Sequence, residues 1–142
     1  MTQIDFYILA DTTPIAGPMF ACKLVDKAYH LKHSIYVHTS NQPQAQQMDE
    51  LLWTFNPGSF LPHEVNIPDK DFEEPIIIGY PEQSTGLHDV LINLDNEVPS
   101  FFGQFERVAE IVCGDNTMRS QARQRYKFYR DRGYSLNTHN IS

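Results

Sequence analysis

An α/β sandwich on a mostly parallel sheet is the fold class that this sequence predicts. Three observations carry it. Short apolar, β-rich runs alternate with amphipathic stretches along the chain. The chain has 142 residues, the usual size of one domain and enough to bury a core without staples. Its composition, 41% hydrophobic and 12% aromatic, is that of a globular protein rather than a disordered one. No repeat, low-complexity segment or shift in composition marks a boundary, so residues 1–142 are expected to form a single domain.

The elements follow in order. "IDFYILA" (4–10) reads as a buried strand and "DTTPIAG" as the loop after it. Pro18 suits the first turn of a helix, and Phe20, Leu24, Ala28 and Leu31 then recur at helical spacing. "SIYVHT" (34–39) is a second strand. An amphipathic helix is expected within 41–55, with Ala45, Met48, Leu52 and Trp53 inward, and "NPG" (56–58) stops it. "PIIIGY" (75–80) and "DVLINLD" (89–95) are strand-like, separated by a polar, glycine-containing loop. "VPSFFGQFE" (98–106) suggests a short helix capped by Ser100. "RVAEIVC" (107–113) is another strand. The last helix is expected over 115–133, with Asp115, Asn116 and Thr117 suited to its start and Gly133 to its stop.

Several functions find no support. The loop after the first strand is no GxGxxG, and no GxxxxGK[ST] occurs, so a nucleotide has no standard phosphate cradle. No GxSxG or other nucleophile context appears. Pairs such as Asp49-Glu50 and Glu73-Glu74 are sequence neighbours that do not converge on one face. Of the six histidines, His30 and His33 stand three apart, but no third metal ligand is signalled, and all six read as surface or helix-end residues. No catalytic residue, metal site or cofactor is therefore expected. Cys22 and Cys113 belong to no CxxC motif and read as buried thiols of a reducing cytosol. The N-terminus lacks the basic start of a secretory signal. The apolar runs fall far short of the roughly 18 residues of a membrane helix. A cytoplasmic location is expected.

Charge carries the strongest signal. The chain has a formal net charge of −7, yet six of its eleven Lys and Arg lie between Arg119 and Arg132 against the single acid Asp131. That segment is +5 and the remainder −12. An acidic body repels DNA phosphates, whereas one basic helix suits a small anionic partner. At about 100° per residue, Arg119, Arg123, Tyr126, Lys127 and Arg130 share one stripe. Met118, Ala122 and Tyr129 form an adjacent apolar stripe expected to face the core. Arg125, Phe128 and Arg132 point elsewhere, and Phe128 has no evident home. The plain alternative is a solvated basic face. A second region, "LLWTFNPGSFLPHEV", gathers Trp53, Phe55, Phe60 and Leu61 around a Pro-Gly break. These are either core or, for one or two of them, exposed anchors of an interface.

Particular motifs add a resemblance. "FYIL", "DELLW", "SFLPH", "DVLINL", "RVAEIV" and above all "ARQRYKFYRDRGYSLNTH" resemble the chi subunit family of bacterial DNA polymerase III nearly end to end. Segment 66–74 is less characteristic. The resemblance implies a three-layer α/β/α sandwich, Rossmann-like but without a phosphate-binding loop. It implies a non-catalytic adaptor of the polymerase III holoenzyme that uses no cofactor. The adaptor would link the clamp loader, through the psi subunit, to the acidic C-terminal tail of single-stranded DNA-binding protein. Arg123 matches the family's principal tail-binding arginine, and Arg119, Tyr126 and Lys127 match its neighbours. Phe60 and Trp53 match aromatics of the psi-binding surface, where the family also admits a repair helicase. Little direct DNA binding is implied. A direct nucleic-acid binder and an enzyme on a nucleotide-binding-like fold stand as alternatives.

Overall fold

The computed structural model describes residues 2–56, 58, 60–65, 74–80 and 89–142. The elements are β1 (Gln3–Leu9), α1 (Ala16–His30), β2 (Ile35–His38), α2 (Gln42–Thr54), β3 (His63–Val65), β4 (Ile76–Gly79), β5 (Val90–Asn93), a 3-10 turn (Phe102–Gln104), β6 (Arg107–Val112), α3 (Asn116–Asp131) and β7 (Ser135–Ile141). The expected loop at 81–88, with His88, and most of segment 66–74 lie outside the described residues.

The strands form one sheet in the order β3-β4-β2-β5-β6-β1-β7. Every pairing among the described residues is parallel. The inner strands of a parallel sheet are covered on both faces, so they are largely apolar. "IIIG" shows why: Ile76 and Ile78 face one layer while Ile77 faces the other. The first layer is α1 and α2, packing Val25, Met48 and Leu52 on Ile35, Val37 and Ile92. The second is α3 with the 98–105 segment, packing Ala122, Tyr129, Phe101, Phe102 and Phe105 on Ile4, Phe6, Leu91 and Val108. Right-handed crossovers explain the split. The chain moves one way across the sheet from β1 to β2 and the other way from β6 to β7, so α1 and α3 land on opposite faces.

Local chemistry fixes the helix ends. Asn41 caps α2, its Oδ1 accepting from the Gln44 amide at 3.0 Å, and Asp115 caps α3 through the Met118 amide at 3.1 Å. Gly133 closes α3 at φ 80°, with the Tyr134 amide reaching back to the Tyr129 carbonyl at 3.2 Å. Lys32 does the same for α1 at φ 68° without the glycine that this conformation prefers. Gly79 answers a close approach instead: a Cβ there would collide with the hydroxyl of Tyr36 on the neighbouring strand.

Four expectations need correction. β7 and the three-residue β3 were not expected, because "SLNTHNI" is mostly polar and β3 is too short to show a period. The helix over 98–106 is only a 3-10 turn that Ser100 does not cap. Trp53 faces outward rather than into the core. His38 and His63 are buried, not surface residues, and Cys113 is only half-buried. Burial pushes the Cys22 thiol up to about 12, which leaves it unreactive. Among the described residues no helix is long and apolar enough to cross a membrane.

Candidate functional site

α3 is anchored from below by a buried polar cluster. Glu110, in the middle of β6, is fully buried. Arg125 donates from Nε to its Oε1 at 3.0 Å, and Tyr129 donates its hydroxyl proton to Oε2 at 2.7 Å. The Asn93 amide lies 3.0 Å from both carboxylate oxygens. Arg125 Nη1 also donates to the Asn96 carbonyl at 2.9 Å. Burial pushes the Glu110 carboxyl upward, while Arg125, Tyr129 and Asn93 pull it back. Burial, and then the neighbouring carboxylate, raises the Tyr129 hydroxyl.

The inward stripe of α3 is therefore Ala122, Arg125 and Tyr129. Met118, expected to face the core, is 44% exposed. Arg125, expected to point elsewhere, takes an inward place because β6 supplies a counter-charge. The signal was present in "RVAEIVC": one acid inside an apolar strand must find a partner. Phe128 has a home after all. It meets Phe102 edge-on at 5.8 Å, and the Arg132 guanidinium stacks 3.6 Å from its ring centroid.

With the anchor in place, the row expected on the outer face is presented together. Arg123 and Lys127 are exposed and make no hydrogen bond or ion pair among the described residues. Arg119 is half-buried and donates from Nη2 to the Leu9 carbonyl at 3.0 Å, which ties it to the end of β1. Tyr126 is half-buried, its ring edge-on to Phe6 of β1 at 5.3 Å. Arg130 leans on Asp131 at 3.4 Å. The row thus offers two free cations and one tethered cation beside an aromatic edge. Such a surface can pair with carboxylates while an apolar group rests on the ring.

The second region divides. Leu61 is core and Phe55 half-buried, whereas Trp53 is 51% and Phe60 70% exposed. The two exposed rings touch, with centroids 5.8 Å apart. Beneath them His63 lies against Trp53, at 4.4 Å between ring centroids. The plate stands beside edge strand β3, on the α2 face. The α3 row lies on the opposite face over β1, five strand spacings away, roughly 25 Å.

A third feature is the crevice at the carboxyl ends of β1, β5 and β6, where the crossovers diverge. It encloses about 440 Å³ and is lined by residues including Thr12, Asp95, Cys113 and Asp115. The bond from His38, with help from Ser40, holds the Asp95 carboxyl down to about 2. Asp115 already caps α3 where a phosphate loop would offer amides. The lining holds Asp95 and Asp115, and its one cation, Arg125, is already paired with Glu110, so the crevice is unsuited to a phosphate. Among the described residues, no group of three His, Cys, Asp or Glu could hold a metal ion.

Residues 1–137 match the family model described as DNA polymerase III chi subunit, HolC. A protein named DNA polymerase III subunit chi from Pseudomonas aeruginosa is 36% identical over 141 residues, covering 99% of this chain and 98% of its own. Its namesake from Haemophilus influenzae is 31% identical, covering 96% of both chains. That from Escherichia coli is 28% identical, covering 97% of both. A crystal structure of T4 UvsW superposes with a TM-score of 0.72 at 9% identity, over 99% of this chain and 41% of that one. This last likeness is one of fold alone.

Proposed function

Since the chain belongs to the DNA polymerase III chi subunit family, we propose that it is a non-catalytic, cytoplasmic adaptor of the replicative holoenzyme. It would join the clamp loader, through the psi subunit, to the C-terminal tail of single-stranded DNA-binding protein. The observation that supports this reading is the pair of exposed surfaces of opposite chemistry on opposite faces of one sheet. The tail is acidic and ends in apolar residues and a free carboxylate. Arg123 would hold a carboxylate by paired hydrogen bonds, Arg119 and Lys127 would draw in the acids, and Tyr126 would wall the apolar end. Phe60 and Trp53 would anchor psi, and a repair helicase could compete there.

A pull-down from cytosolic extract with wild type, Arg123→Ala and Phe60→Ala tests the adaptor. Each variant is expected to lose one partner and keep the other. If both lose the same partner, the two-surface reading fails. Bare single-stranded DNA should bind far more weakly than a tail peptide at equal salt, because the body outside residues 119–132 carries −12. Comparable affinities would instead support direct nucleic-acid binding.

A further inference from the structure

His63 is placed to do more than fill space beneath Trp53. Its Nδ1 lies 2.6 Å from the Leu61 carbonyl oxygen. Its Nε2 lies 3.1 Å from the Asp49 carbonyl oxygen and 3.2 Å from Asp49 Oδ1. A carbonyl oxygen can only accept, so each nitrogen must donate, and a neutral imidazole has a single N–H. The side chain is 0% exposed, so water does not substitute for either partner. A neutral imidazole can therefore donate toward only one of these two sides.

We propose that His63, as an imidazolium, is the positioning residue of the Trp53–Phe60 surface. One ring nitrogen holds the carbonyl of Leu61, the residue after Phe60. The other holds Asp49, one helical turn before Trp53 on α2. The clamp therefore joins the two segments that carry the exposed rings. The indole lies against this ring, at 4.4 Å between centroids, where an imidazolium would add a cation–π attraction. Among the described residues, the charged group packed on His63 from α2 is Asp49, its register partner on β4 is Ile76, and residues 60–62 bring no charge. Glu64, next on β3, points to the other side of the pleat. Loss of one proton breaks one arm of the clamp and removes the cation under Trp53. Docking on this surface then weakens as pH rises.

The docking half of this inference rests on the psi surface proposed above; the protonation half does not. Trp53 is the only tryptophan in the chain, so indole emission reports on this ring alone. An imidazolium in contact quenches indole emission more strongly than a neutral imidazole does. The experiment follows the emission of the whole chain, and its affinity for psi, from about pH 5 to about pH 8.5, where histidines change charge. Wild type, His63→Gln, Asp49→Asn and Phe60→Ala are compared. In wild type, emission should rise in one transition and psi affinity should fall roughly fivefold across it, the worth of one hydrogen bond. His63→Gln should abolish both changes and hold affinity near the high-pH wild-type value. Asp49→Asn keeps both carbonyls but loses the carboxylate, so its transition should move to lower pH. It decides the matter if His63→Gln does not fold. Flat wild-type emission, a transition that survives in His63→Gln, or psi affinity indifferent to pH would each overturn the proposal. Should Phe60→Ala bind psi normally, it is the psi surface that fails, and the emission transition still decides the charge on His63.

Discussion

Arg123 and Phe60 are both exposed, yet they are held by different means. Arg123 is a long cation on a helix that is locked from below by Arg125, Glu110 and Tyr129. Its own side chain has no partner among the described residues. Phe60 lies outside any helix or strand, and its placement depends on the rings and the His63 clamp beside it. A charge acts over a distance and can find its partner from a flexible stem. An aromatic anchor must fit a pocket, so it needs rigid support. The surroundings differ as well. Among the described residues from 33 to 65 there are three acids, Asp49, Glu50 and Glu64, and no lysine or arginine. One surface therefore invites an acidic segment, and the other repels it.

The largest expected effect tests the locked helix. Arg125→Ala leaves Glu110 buried without its counter-charge, which should cost about 3–5 kcal/mol of stability in chemical denaturation. A loss below about 1 kcal/mol would mean that the buried pair does not hold α3. Next comes the aromatic plate. Phe60→Ala should weaken psi binding by about 2 kcal/mol or more while leaving the melting temperature and tail binding nearly intact. Equal loss of both partners would erase the contrast between the surfaces.

The tail row should show graded effects. Arg123→Ala should cost roughly 1.5–3 kcal/mol of tail-peptide affinity by calorimetric titration. Arg123→Lys should lose a good part of the same amount, because an ammonium cannot copy the planar two-point grip. Full rescue by lysine would reduce the row to diffuse attraction. The smallest effect belongs to Arg132→Ala. This side chain stacks on Phe128 away from the row, so the change should cost tail binding little beyond what salt screens within about 10 Å at 0.1 M. If it matched Arg123→Ala, and salt erased both, α3 would be a positive face with no specific site.

The sequence by itself determined the alternation of strands and helices, the long basic stripe and the stop at Gly133. Each of these is local: period, charge and turn chemistry are written in neighbouring residues. It also supplied the contrast between 119–132 and the rest of the chain, which needs only counting. Tertiary structure alone decided the partners of buried charge. Arg125 looks like its basic neighbours on α3 until Glu110, fifteen positions earlier on another element, turns it inward. Helical periodicity leaves Trp53 open between core and exposed anchor, since it and buried Leu52 are both large and apolar and differ only in what packs over them. The strand after Gly133 leaves no periodic mark in the sequence because an edge strand is held by main-chain pairing to β1, which side-chain pattern does not encode. Long-range pairing settles these matters, and it exists only once the sheet has formed.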